Sequence, residues 1–367
     1  MRPLIWAGAS LDRAAIRIME RVMSRGGKRL PADDPAAALA EATAHYRRPD
    51  VRARYFAAPA RVQFREHRTA QRLGPLEVVD LSWQSGYQPT HEGYRWRYLA
   101  YRENQTAIAR HYRLPDHGRA PDGSDRARRR PTILCLHGWG GGSFRLEHLA
   151  FGVPFLARLG LDVVLVQLPF HGQRSPRGIP SGLKFPSTHV VRMNEAFGHA
   201  LADLRSLVAW LRERGAPEVG VMGMSLGGYT AALLASAEPL DFAVPMIPVA
   251  SFAEVMWSHG EGRPARARAE AAGISGQALR AAFEIHAPLE RPCLVRHDRR
   301  FIIAGLGDRI APPEQAEWLA RHWGHPRMHW YPGGHLAQFG RRETFGELAS
   351  FLAEAGVIAQ KPRKRAA

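Results

Sequence analysis

The sequence predicts an α/β fold, a mostly parallel, doubly wound sheet. Three observations lead there. Continuous apolar runs recur at 132–136, 163–166, 219–222, 242–249 and 301–304, and such runs suit central strands covered on both faces. Helix-like stretches separate them, the rhythm of a parallel sheet with crossovers. Residues able to do chemistry follow the strand ends, at 137–142, 169–172, 225, 308 and 335. The carboxyl ends of the strands are where such sheets form their clefts.

The chain of 367 residues, 45% of them hydrophobic, is long enough to bury a large core and is not a disordered polymer. Its net charge of +17 is carried by 51 basic residues, of which only Lys28, Lys184, Lys361 and Lys364 are lysine. The arginines are spread along the whole chain without a basic, aromatic-rich platform, so the charge reads as a compositional bias and not as nucleic-acid binding. Cys135 and Cys293 sit in or beside apolar runs. They give neither a disulfide framework nor metal-ligand spacing, which fits a reducing, cytoplasmic setting with no metal site. No 18-residue apolar run and no secretion signal are read.

In order, residues 9–25 read as a helix with Leu11, Ala15, Ile18 and Val22 on one face and Arg13, Arg17 and Arg21 on another, stopped by Gly26-Gly27. A basic amphipathic helix is compatible with peripheral contact on an anionic membrane; docking on its own protein is the favoured reading. A second helix is expected from Pro35 to about Tyr46. Residues 51–130 read as strands and loops, with strands at 76–83 and 107–113 and a surface loop at 117–130. Beyond the first core strand a long helix is expected at 194–214, then shorter ones after Ser225, at 313–323 and up to 355, with a last strand at 327–331. The expected organisation is an N-terminal extension (1–130) of helices and edge strands packed on the core, a core at 131–250 and 291–357, a cap insertion at 251–290, and a disordered basic tail at 358–367.

Ser225 lies in Gly223-Met224-Ser225-Leu226-Gly227, between an apolar strand and a helical stretch. A sharp strand-to-helix turn lifts its apex side chain clear of the sheet, and the two glycines are read as places where a Cβ would clash. A serine hydroxyl is a poor nucleophile without a base, and the base needs an acid to hold its tautomer. Asp308 and His335 follow in that order, each after an expected strand. The alternative for Asp308 is a turn or N-cap residue; Asp298 is a rival but precedes its strand. Oxyanion donors are expected from the amide of Leu226 and from the glycine-rich loop, with Trp139 first by position and Gly140 next. His137 reads as a residue that ties this loop to neighbouring backbone, and His171 as a turn-former on the rim.

These motifs, His-Gly-Trp-Gly-Gly-Gly (137–142), Gly-Met-Ser-Leu-Gly-Gly (223–228) and Gly-Gly-His (333–335), resemble the α/β-hydrolase superfamily over residues 131–355. The elbow, the Pro-Phe-His-Gly-Gln-Arg turn, the Gly-Gly-His-Leu ending and the long N-terminal extension look most like the branch of α/β-hydrolase-domain-containing protein 18. The resemblance implies a serine hydrolase acting on small-molecule esters or related acyl compounds, with no metal or organic cofactor. In the expected cap, Phe252, Met256 and Trp257 are candidates for an apolar wall around an acyl chain, against the alternative that they pack the cap on its own base. Rival functions are a prolyl-oligopeptidase-like peptidase, for which residues 1–130 lack the repeats of a propeller, and a non-catalytic binding protein on the same scaffold.

Overall fold

The structure, a computed structural model, describes residues 1–25, 34–115 and 129–359. The Gly26-Gly27 stop, most of the expected loop at 117–130 and the tail from 360 onward lie outside the described residues.

A nine-stranded sheet forms the centre, in the order β1-β2-β3-β5-β4-β6-β7-β8-β9. The strands are β1 (Phe64–Leu73), β2 (Leu76–Gln84), β3 (Thr106–Arg113), β4 (Thr132–Leu136), β5 (Asp162–Gln167), β6 (Val219–Met224), β7 (Phe242–Met246), β8 (Phe301–Gly305) and β9 (Arg327–Tyr331). The first three run antiparallel, β3 pairs antiparallel with β5, and from β5 to β9 all neighbours are parallel. The chain has the doubly wound α/β architecture that its apolar runs predict.

The helices are α1 (Arg2–Arg25), α2 (Pro35–Arg47), α3 (Pro49–Tyr55), α4 (Glu92–Leu99), α5 (Phe144–Ala150), α6 (Val153–Arg158), α7 (Val190–Glu213), α8 (Leu226–Ala235), α9 (Phe252–His259), α10 (Pro264–Ala271), α11 (Gly276–Phe283), α12 (Pro313–His322) and α13 (Arg341–Glu354). The two-residue alternation of the strands divides the core between them. Leu134, Leu136, Val164 and Val166 face the layer containing α7 and α8. Ile133, Cys135, Val163 and Leu165 face the layer containing α6 and α13. Both faces are apolar because both are covered.

Four expectations need correction. The strand expected to reach 249 stops at Met246, because Ile247 takes φ 40 and leaves the extended region. Within 51–130, the helices α3 and α4 and the strand β1 were read as unspecified strand or loop. β1 is Phe-Arg-Glu-His-Arg-Thr-Ala-Gln-Arg-Leu, an exposed edge whose charges hide the strand pattern. The helix expected from residue 9 begins at Arg2. It docks through a line that does not include Leu11 of the expected face; the side chains of Ile18 and Val22 lie outside the described residues. Ala9, Asp12 and Ile16 are buried, whereas Leu11 is 52% exposed. The contact line runs through Ile5, Gly8 and Asp12 because Gly8 on the helix and Gly307 and Gly334 on the loops after β8 and β9 leave no side chain between them.

Residues 34–115 are tied to α7 most densely at one carboxylate. Glu195 is fully buried and accepts from the hydroxyls of Tyr46, Tyr87 and Thr90 and from the amides of Thr90 and His91. A buried charge of this kind is tolerated only when its acceptor sites are filled. Among the described residues no helix is long and apolar enough to cross a membrane.

Candidate active site

Ser225 stands between β6 and α8 with φ 55 and ψ −113, a backbone state that ordinary residues avoid. Its surroundings explain the glycines. A Cβ on Gly223 would lie 2.1 Å from the carbonyl oxygen of Gly227, so strand and helix touch there. A Cβ on Gly227 would lie 1.9 Å from the carbonyl oxygen of Leu136, so the second glycine serves the neighbouring strand β4 as much as its own turn. The Ser225 amide donates to Met246 O at 3.0 Å, anchoring the turn to the end of β7.

Asp308 follows β8 and His335 follows β9. His335 Nδ1 donates to Asp308 Oδ2 at 2.6 Å, and both side chains are buried. The other oxygen, Asp308 Oδ1, accepts from the amides of Ile310 (2.9 Å) and Ala311 (2.8 Å). Asp308 is therefore both the turn residue and the partner of the histidine. The hydrogen bond at Nδ1 fixes the tautomer of a neutral imidazole and leaves Nε2 as its lone-pair side. Burial opposes a charge on His335, but the field and hydrogen bond of Asp308, with the charge of Asp12, outweigh it and raise the pKa above the ordinary histidine value. Among the described residues no hydrogen bond joins Ser225 to His335; such contacts often close only around a bound substrate. Asp298 is exposed, paired with Arg296 ahead of β8, and takes no part.

The loop after β4 reaches the serine: an ideal Cβ on Gly138 would stand 3.5 Å from Ser225 Cβ. Two of its amides are occupied, Gly141 by Gly138 O at 3.1 Å and Gly142 by Glu147 Oε1 at 3.0 Å. Among the described residues the amides of Trp139, Gly140 and Leu226 carry no intramolecular partner. The loop is held by further ties: Gln167 Nε2 donates to Gly142 O, Ser181 Oγ to Gly141 O, and Trp139 Nε1 to Gly182 O. His137 binds the loop as its position suggests, donating from Nδ1 to Gly138 O and accepting the Leu168 amide at Nε2. Burial lowers its pKa to about 4, so it stays neutral. His171 is buried in the next turn, with Nδ1 donating to Pro169 O.

A family model described as alpha/beta hydrolase domain containing 18 matches residues 118–268. The acetyl xylan esterase 1 of Thermoanaerobacterium superposes with a TM-score of 0.56 at 16% identity, covering 84% of this chain and 92% of that one.

The chain has the α/β-hydrolase fold.

An uncharacterized protein of Mycobacterium tuberculosis is 33% identical over 285 residues, which are 75% of this chain and 64% of that protein. The chain thus spans just under two thirds of the length of this relative.

Phe252, Met256 and Trp257, the candidates for a substrate wall, all pack against other parts of the protein. Phe252 is buried against Phe197 and Tyr229, with ring centroids 5.6 and 4.8 Å away. Trp257 lies under the Arg266 guanidinium at 4.6 Å and against Gly276. Met256 packs on the main core. Helices α9 to α11 lie between β7 and β8, and α11 packs on α2, α7 and α9. The large apolar side chains that are exposed beside the site's loops are Trp139, Leu183 and Leu336. Leu336 adjoins His335, and Leu183 adjoins Gly182, which holds Trp139. Sequence reasoning missed Glu147, Gln167 and Asp12; the signal for Asp12 was a glycine one turn earlier, at position 8, inside a helix.

Proposed function

We propose that this chain is a serine hydrolase that cleaves carboxylic esters through an acyl-enzyme on Ser225. The observation that carries the reading is the 2.6 Å Asp308–His335 pair, formed by the loops that follow neighbouring parallel strands of the sheet whose β6 ends in Ser225. Ser225 Oγ attacks the acyl carbonyl and its proton passes to His335 Nε2. Asp308 holds the imidazole and stabilises its charged form. The amides of Leu226 and Trp139, with Gly140 beside them, receive the oxyanion; one such donor is typically worth about 10²–10³ in turnover. His335 then gives the proton to the departing alcohol, and a water deprotonated by the same imidazole releases the acid.

The substrate is read as a small-molecule acyl ester whose acyl group lies along Trp139, Leu183 and Leu336, in place of the wall at Phe252, Met256 and Trp257. The likeness to an acetyl xylan esterase lends the fold and no particular sugar or acid. A fluorophosphonate probe tests the reading. Wild type should be labelled at Ser225, and Ser225→Ala should not. An unlabelled wild type, or equal labelling of Ser225→Ala, removes the nucleophile.

A further inference from the structure

We infer that Asp12 is a positioning residue for the Asp308–His335 pair, acting from α1 by accepting backbone amides of both loops that carry the pair. The inference rests on the serine-hydrolase reading of the site. Asp12 is completely buried. Its Oδ2 accepts from the amides of Arg309 (3.0 Å) and His335 (2.7 Å), and its Oδ1 from the amide of Leu336 (3.1 Å). Arg309 follows Asp308 directly and Leu336 follows His335, so one carboxylate spans two loops that share no chain connection shorter than α12 and β9.

The approach is tight. A Cβ on Gly8 would fall 2.3 Å from the Gly334 amide nitrogen, a Cβ on Gly307 would fall 2.5 Å from Ile5 O, and a Cβ on Gly334 would fall 2.6 Å from Asp12 Oδ2. Three glycines, one on the helix and one on each loop, thus have the same reason: they let α1 lie against the loops. A helix kept only for bulk would need apolar contact; this one places a charge where it fixes the backbone of the base and of its partner. The ionisable groups acting on His335 are Asp308 from the β8 loop and Asp12 from α1; Tyr331 from β9, whose hydroxyl donates to Gly334 O, lies near both carboxylates. Asp308 touches the His335 ring and Asp12 its backbone amide, and each carboxylate favours the protonated imidazole.

The test compares wild type, Asp12→Asn and Gly8→Ala. Asn keeps the shape but turns one acceptor into a donor aimed at an amide. Gly8→Ala leaves the charge and forces α1 off the loop, and it replaces Asp12→Asn should that variant fail to fold. The rate of fluorophosphonate labelling should fall by about 10²-fold in either variant, as expected when a reacting pair is misplaced by about an ångström. In Asp12→Asn the protonation midpoint of His335, followed by NMR of histidine-labelled protein, should move to lower pH, which a purely structural role would not produce. The NMR readout needs no activity, so it judges Asp12 even if Ser225 proves unlabelled. Labelling at the wild-type rate in both variants overturns the inference, as does an unmoved His335 midpoint in folded Asp12→Asn.

Discussion

Asp308 divides its two oxygens between two tasks: Oδ2 takes the Nδ1 proton of His335, while Oδ1 holds the turn amides of Ile310 and Ala311. The carboxylate therefore cannot rotate away from the imidazole without opening its own turn.

The pH dependence of turnover follows from this arrangement. In the proposed mechanism His335 must be neutral to accept the Ser225 proton, and its pKa is raised. The acid limb of kcat/KM should therefore lie above the ordinary histidine midpoint of about 6.5, with activity rising as pH rises through it. Asp308→Asn should lower kcat by about 10³–10⁴-fold and move the remaining limb to lower pH. A pH–rate profile of ester hydrolysis for both proteins measures the two effects together.

The glycines of the elbow and of the donor loop should respond differently to alanine. At Gly227 a Cβ would meet Leu136 O at 1.9 Å, and backbone on both sides has nowhere to go. Gly227→Ala should cost about 3 kcal/mol or more. At Gly140 nothing lies within 4 Å, and the only penalty is φ 76. Gly140→Ala should cost about 1–2 kcal/mol. Denaturant titration ranks the two, and the reverse order would contradict the steric account.

Glu147 should act on turnover without touching substrate. It is largely buried, and burial raises its carboxyl pKa against the opposing Gly142 hydrogen bond. Glu147→Ala removes the acceptor that occupies the Gly142 amide and loosens the loop carrying Trp139 and Gly140. The expected result is a fall in kcat of about 10-fold or more, bounded by the 10²–10³ typical of losing a donor outright, with a smaller change in KM. Steady-state kinetics on one ester is sufficient to separate the two parameters.

Acid should destabilise the fold through its interior histidines. Burial lowers the pKa of His111, His199 and His286 to about 3 and of His137 to about 4. Above pH 6.5 these groups are neutral in both folded and unfolded chains and contribute nothing. Below it the unfolded chain binds their protons and the folded one does not, so stability falls as pH drops from about 6.5 towards 4. Each such histidine costs about 1.4 kcal/mol per pH unit in that window. Unfolding midpoints measured from pH 7 to pH 4 should decline steadily, and a flat profile would show that these rings are solvated.

The parts of the fold legible in the sequence are those where burial on both faces leaves a compositional mark. β4 and β9 carry their expected limits, and the elbow's glycines explain themselves by contact. β1 was illegible because an edge strand of arginines has no inner face to write an alternation. On α7 the apolar positions were readable, but Asn194, Glu195, His199 and Asp203 are buried beside them through partners far away in sequence. Asp12 was hidden by its setting: among Arg13 and Arg17 it reads as one more surface charge, and only the docked loops reveal its role. For Phe252, Met256 and Trp257 the sequence left two alternatives open, substrate wall or packing: Phe252 and Met256 pack on the core, and Trp257 lies half-buried under Arg266.

Glu195 has a practical consequence for anyone seeking a minimal version of this protein. The recognisable motifs all lie beyond residue 130, which invites trimming the chain to that portion. Every donor that neutralises this carboxylate comes from the discarded side, between Tyr46 and His91. A shortened protein would carry an anion inside its longest helix layer with nothing to satisfy it, and would be recovered as insoluble material. Replacing Glu195 by an apolar residue of similar size would be the necessary companion change in any such redesign.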